Sequence, residues 1–172
     1  MSSEAGELNN KSPLSQTDVS RALQGLSGQT CWYVSCGQNT GSSFGLALGK
    51  KIKRGTPLDN KSHPASFQKY QPEHSLMVWC AWRLSKDGRA IAASSDSVRA
   101  EILHSHLRRL SGQKIASIES SGPIYDLRIL FSTGWRLDVF RDCEEIKPSA
   151  NTRADEASNW EIFAKGDFVL GV

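Results

Sequence analysis

Apolar residues recur at two different periods along the 172-residue chain, and the switches between them lay out its elements. Val19, Ala22, Leu23 and Leu26 fall at i, i+3, i+4 and i+7, which predicts a helix over 16–26. Ser15 offers a capping hydroxyl ahead of it, and Gly28, free to take φ > 0, ends it. The period then drops to two. Thr30 to Ser35 is rich in aromatic and β-branched residues and predicts a strand. Phe44, Leu46 and Leu48 alternate and predict a second. Gly49 predicts a tight reversal, after which Lys50 to Arg54 would return as a polar edge strand. Residues 55–73, with Pro57, Pro64 and Pro72, read as a long irregular segment. Leu76 to Leu84 predicts one apolar strand carrying Trp79, Cys80 and Trp82, with Asp87-Gly88 turning it back into Ala90–Ala93.

The second half repeats the order. Ser95-Asp96-Ser97 is expected to cap a helix over 97–110 that buries Val98, Ile102, Leu103, Leu107 and Leu110 and stops at Gly112. Strands are predicted over 114–119, 125–131 and 135–140. In the last of these Trp135, Leu137 and Val139 share one face, and Arg136, Asp138 and Phe140 the other. A loop over 141–157 precedes a final hairpin, 159–164 and 167–172, around Lys165-Gly166.

Leu26-Ser27-Gly28-Gln29 reappears 84 positions later as Leu110-Ser111-Gly112-Gln113. Val19, Leu23 and Leu26 map to Leu103, Leu107 and Leu110 by the same shift, and the pair Trp82 and Gly88 maps to Trp160 and Gly166. A unit of roughly 80 residues buries little surface on its own. The expected organisation is therefore a polar, disordered tail over 1–14, a first unit over 15–94 and a second over 95–172. The two units would pack as one domain with approximate two-fold symmetry. The expected class is α+β, with antiparallel sheet covered on one face by the two helices.

Composition narrows the function classes. With 21 basic against 18 acidic residues the net charge is +3, too balanced to point to nucleic acid. No apolar run reaches the roughly 20 residues that span a bilayer, and the N-terminal residues lack the apolar centre of a signal peptide, so no membrane association and a cytoplasmic location are expected. Cys31, Cys36, Cys80 and Cys143 fit no zinc spacing and read as free thiols. His104 and His106, two apart on a helix, point away from each other and cannot share a metal. No nucleophile elbow, phosphate loop or dinucleotide fingerprint is present, so no catalytic residue, cofactor or metal is expected. Asp138 and Glu161 read as partners of Arg136 or Arg83 across a sheet rather than as a catalytic pair.

His74 to Leu84, together with Leu127 to Arg141 and Asn159 to Phe163, resembles a family of small bacterial, often actinobacterial, proteins. Their mark is a Cys-Pro-Trp-Arg-like strand followed by Leu-x-Val-Phe and Trp-x-Leu-Phe segments. This chain departs from it at Trp79 and Ala81. The family has no established activity. Its Trp-rich α+β character resembles that of bacterial toxin-immunity proteins, and the resemblance implies a role of that kind by association.

The leading expectation is a non-enzymatic protein-binding module, an immunity or toxin-neutralising protein that acts by occlusion. Trp79 and Trp82 lie on opposite faces of one strand, so one of them needs a cover; with Arg83 beside them they are the expected anchor. The long loops differ in charge: Lys50, Lys51, Lys53 and Arg54 in one, Glu144 and Glu145 in the other, which would set partner choice. The alternatives are an enzyme with a site between the halves, and a nucleic-acid binder using Lys50 to Arg54 with Arg99 to Lys114.

Overall fold

A computed structural model describes residues 15–37, 40–122, 125–141 and 159–172. The tail over 1–14, Cys143 and most of the loop over 141–157 lie outside them.

Helix α1 (Gln16–Gln24) forms as its pattern predicts. The Ser15 hydroxyl accepts the Asp18 N–H, and Val19 and Leu23 are buried. Strands β1 (Cys31–Ser35) and β2 (Phe44–Lys53) follow, then a short helix α2 (Ala65–Lys69) and β3 (Tyr70–Val78). Next come β4 (Ala81–Lys86), β5 (Arg89–Ala93) and helix α3 (Ala100–Leu107), which tightens into a 3₁₀ turn over Arg108–Leu110. Strands β6 (Ile115–Ser121), β7 (Asp126–Phe131), β8 (Trp135–Phe140), β9 (Trp160–Ala164) and β10 (Asp167–Gly171) complete the described residues.

These ten strands form two five-stranded sheets, in the orders β1-β2-β3-β9-β10 and β5-β4-β8-β7-β6, with every neighbouring pair antiparallel. Each sheet takes three consecutive strands from one half of the chain and a hairpin from the other. The predicted strand over Leu76–Leu84 is therefore two strands: β3 ends at Val78 in the first sheet, and β4 begins at Ala81 in the second.

Three further expectations are corrected. Gly49 makes no reversal. β2 continues through it, with Gly49 at φ +78° where the register with β3 shifts, so the basic run ends a central strand paired with Tyr70 to Pro72. The segment 55–73 is not all irregular, since it holds α2 and the start of β3. Nor do the helices cover one sheet face. α1 lies against β6 and β10, α3 against β5, and the 3₁₀ turn against β1, so each helix meets edge strands of both sheets.

α3 also starts later than predicted. Asp96 accepts the Ala93 N–H at 2.8 Å instead of capping the helix. Val98 and Ile102 are exposed, while Leu103, His104, Leu107 and Leu110 face inward. The inward arc is turned by one residue relative to the predicted one because His104 occupies it, with Nε2 3.1 Å from the Gly41 carbonyl.

The two Leu-Ser-Gly-Gln stretches lie against each other. Gly28 N–H donates to Ile115 O (3.0 Å) and Gly112 N–H to Cys31 O (2.7 Å). Cys31 N–H donates to Gln113 O and Ile115 N–H to Gln29 O, each at 2.8 Å, around an antiparallel bridge between Thr30 and Lys114. Both glycines are left-handed, at φ +78° and +86°, which lets each turn present its N–H to the other half. The same core cluster takes in both sheets and the helices: Leu26, Leu110, Cys31 and Ile115 are buried beside Trp82 and Trp160.

Candidate functional site

The period-two pattern of β8 holds throughout: Trp135, Leu137 and Val139 are buried, while Arg136, Asp138 and Phe140 point outward. Neighbouring strands carry the outward face on. In register, Arg83 of β4 opposes Asp138, Asp138 opposes Arg128 of β7, and Arg128 opposes Glu119 of β6, a row of alternating charge across four strands. Asp138 is the hub. Its side chain is only 8% exposed, with Arg128 Nε 3.2 Å from one carboxylate oxygen and Arg136 Nε 2.8 Å from the other. A buried carboxylate needs such partners, because desolvation would otherwise drive it out. The two arginines keep 54% and 42% of their side-chain surface exposed, and Asp138 engages each through Nε.

Beside the row, the Arg83 guanidinium lies 5.6 Å from the Phe140 ring centroid, a cation–π contact. Phe140 and Leu130 are exposed apolar residues on this face. Ala81 is paired with Phe140 and shares the outward phase with Arg83 and, across the crossover, with Trp79. Trp79 is 51% exposed, and its backbone N–H is held by the Asn159 carbonyl at 2.8 Å. Phe140 and Arg83 thus make an aromatic and cationic pair on the second sheet, and Trp79 is exposed at the crossover just ahead of β4.

Of the three residues expected to anchor a partner, Trp79 and Arg83 are exposed. Trp82 is not: it is 1% exposed, stacks edge-on against Phe44 at 5.7 Å and donates its indole N–H to the Ser42 carbonyl. It is a core residue because its phase points between the sheets. The basic run sits in the other sheet. Lys51 Nζ lies 4.9 Å over the Trp32 ring and Arg54 lies 5.5 Å over Phe67. Phe67 in turn packs on Tyr33 at 4.6 Å, and the Tyr33 hydroxyl meets His63 Nδ1 at 3.0 Å. Lys51 and Arg54 thereby help to fasten α2 to the first sheet, while Lys50 and Lys53 stay exposed. Glu144 and Glu145 lie outside the described residues. Asp138 and Glu161 are in different sheets.

Sequence reasoning missed Arg128, Leu130 and the exposure of Phe140. The first two carry a local signal, the outward phase of β7, but their place beside Arg83 depends on strand order.

Leu26, Leu110, Cys31 and Ile115 belong to one buried apolar cluster that takes in residues of both halves. Burial pushes the Cys31 thiol up from 9.0 to about 12, which keeps it protonated and a poor nucleophile. Burial also raises the Cys36 thiol, against the opposing pull of Arg108. The Cys31 shift makes stability fall with alkali. Below pH 9 both folded and unfolded chains hold the proton; between 9.0 and about 12 the unfolded chain loses it and the folded chain does not, so unfolding is favoured as pH rises. Urea unfolding of wild type and Cys31→Ala across this window is expected to show a shallower loss of stability in the variant.

Among the described residues no cluster of three or more His, Cys, Asp or Glu side chains could hold a metal ion, and no helix is long and apolar enough to cross a membrane. No family model, curated protein or solved structure matches the chain.

Proposed function

We propose that the chain is a non-enzymatic protein-binding module, of the immunity or toxin-neutralising kind, that acts by covering a partner's surface. The observation that carries this reading is the exposed pair of Phe140 and Arg83 on the second sheet, with Trp79 exposed at the crossover just ahead of β4. Large aromatic side chains and arginine are the residue types that dominate interface energetics, and Phe140 and Arg83 are held on paired strands. Anchors fixed by a sheet lose little entropy on binding. A cytoplasmic setting accords with Cys31 and Cys36 being free thiols.

The fold of this module is read as a duplicated unit whose copies have exchanged their terminal hairpins. Two observations support it. The strand orders correspond when β1 to β5 are matched with β6 to β10. The hydrogen bonds between the Leu-Ser-Gly-Gln stretches also come in matched pairs. On that reading the equivalent outward positions have diverged: Arg128, Arg136 and Asp138 in the second sheet stand where the first has Gly45, Ser75 and Met77. Binding would then belong to the sheet that acquired the charges.

The test uses the full chain as bait in extract of its own host. Wild type is expected to retain one protein in a saturable complex. Arg83→Ala, which removes an exposed guanidinium without setting a second carboxylate opposite Asp138, should lose that protein while remaining folded with a melting temperature close to wild type. Equal retention by both chains would remove the reading.

A further inference from the structure

We infer that the Arg128–Asp138–Arg136 cluster is a preorganised carboxylate-recognition site, and that the partner covering this face presents an acidic polypeptide segment to it. This rests on the protein-binding reading above. Asp138 engages both guanidinium groups through Nε, the nitrogen nearest the chain. That leaves the outer nitrogens of each arginine as the donors directed away from the sheet, in the planar fork that matches a carboxylate. The carboxylate beneath does for the two arginines what a second shell does for a metal ligand: it removes rotamer freedom before the ligand arrives.

Arg83, in register with Asp138 on the opposite side from Arg128, adds a third cation two strands from Arg128, about 10 Å away at ordinary strand spacing. Leu130 and Phe140 flank the cations with exposed apolar surface. The occupant is a polypeptide rather than a nucleic acid because the row alternates in sign. A phosphate backbone would have to lie across Glu119 as well as the arginines, whereas a protein segment can place its acidic side chains on the cations and an apolar side chain between them.

The arrangement makes a prediction whose sign separates positioning from plain charge. Asp138→Asn makes the face more positive, so a purely electrostatic surface would bind anions more tightly. If Asp138 positions the arginines, the amide can accept from only one Nε while its NH₂ opposes the other, and binding weakens.

The probe is a glutamate-rich decapeptide titrated into the full chain at low salt by calorimetry, alongside a single-stranded oligonucleotide of equal length. Wild type is expected to bind the peptide, and Asp138→Asn to bind it about tenfold more weakly. Arg128→Lys keeps the charge and loses the fork, and it is also expected to bind more weakly; its half-exposed side chain lets it carry the test if the asparagine variant fails to fold. Unchanged or tighter peptide binding by a folded variant, no binding by wild type, or tighter binding of the oligonucleotide than of the peptide would each overturn the inference. Peptide binding with no host protein captured would leave this site standing and remove the occlusion reading. Capture through Arg83 without peptide binding would do the reverse.

Discussion

Trp160→Ala is expected to destabilise the protein by about 3–5 kcal/mol, the usual cost of truncating a fully buried large aromatic residue. Trp160 is 0% exposed and begins β9, where it faces Val78 across the sheet. Its indole N–H donates to the Tyr125 carbonyl at 3.1 Å, and its backbone exchanges hydrogen bonds with Val172 at 3.1 and 3.0 Å. The indole therefore ties the hairpin to the residue just ahead of β7 in the second sheet, while the strand it begins pairs with β3 of the first. A single domain of this size has a total stability of about 5–15 kcal/mol, so the loss takes roughly a fifth of it or more. Urea unfolding followed by fluorescence measures the effect. Trp160→Phe keeps most of the apolar area and gives up the indole hydrogen bond, for a smaller loss of about 1 kcal/mol. A midpoint for the alanine variant close to wild type would mean that the hairpin is held by something other than its tryptophan.

Trp79→Ala is expected to do the opposite. The side chain is half exposed, and the hydrogen bond to Asn159 is made by its backbone, so stability should move by less than about 0.5 kcal/mol. Affinity for the captured partner should fall by about 2 kcal/mol or more, roughly 30-fold, as at an interface hot spot. Titration of the purified partner against wild type and variant reads the difference. The contrast between two tryptophans, one governing folding and the other binding, follows from burial alone.

The local pattern made most of this fold legible. Period-two alternation located β8 and the closing hairpin nearly to the residue. The glycines after the predicted helices marked real left-handed turns. What local pattern could not carry was the change of sheet at Trp79 and Cys80. Leu76, Val78, Cys80, Trp82 and Leu84 are all buried in one unbroken alternation. The phase passes through the corner intact, because both strands line the same core, so a single long strand and two strands in different sheets read identically. Val98 and Ile102 failed for different reasons: Val98 lies ahead of α3, and at Ile102 the buried His104 took the inward arc that apolarity alone assigned to it. The candidate site was half legible. Trp79 and Arg83 stood out by residue type and Asp138 by phase. The convergence of Arg128, Arg136 and Asp138 needs β7, β8 and β4 side by side, and strand order is a long-range property set by the core as a whole.

Backbone hydrogen exchange of the chain, free and saturated with its captured partner, maps the covered face. Binding through the second sheet is expected to slow exchange over 79–83, 126–130 and 136–140, with residues 50–54 and 63–69 unchanged. Protection confined to 50–54 and 63–69, with the second sheet exchanging as in the free chain, would contradict it.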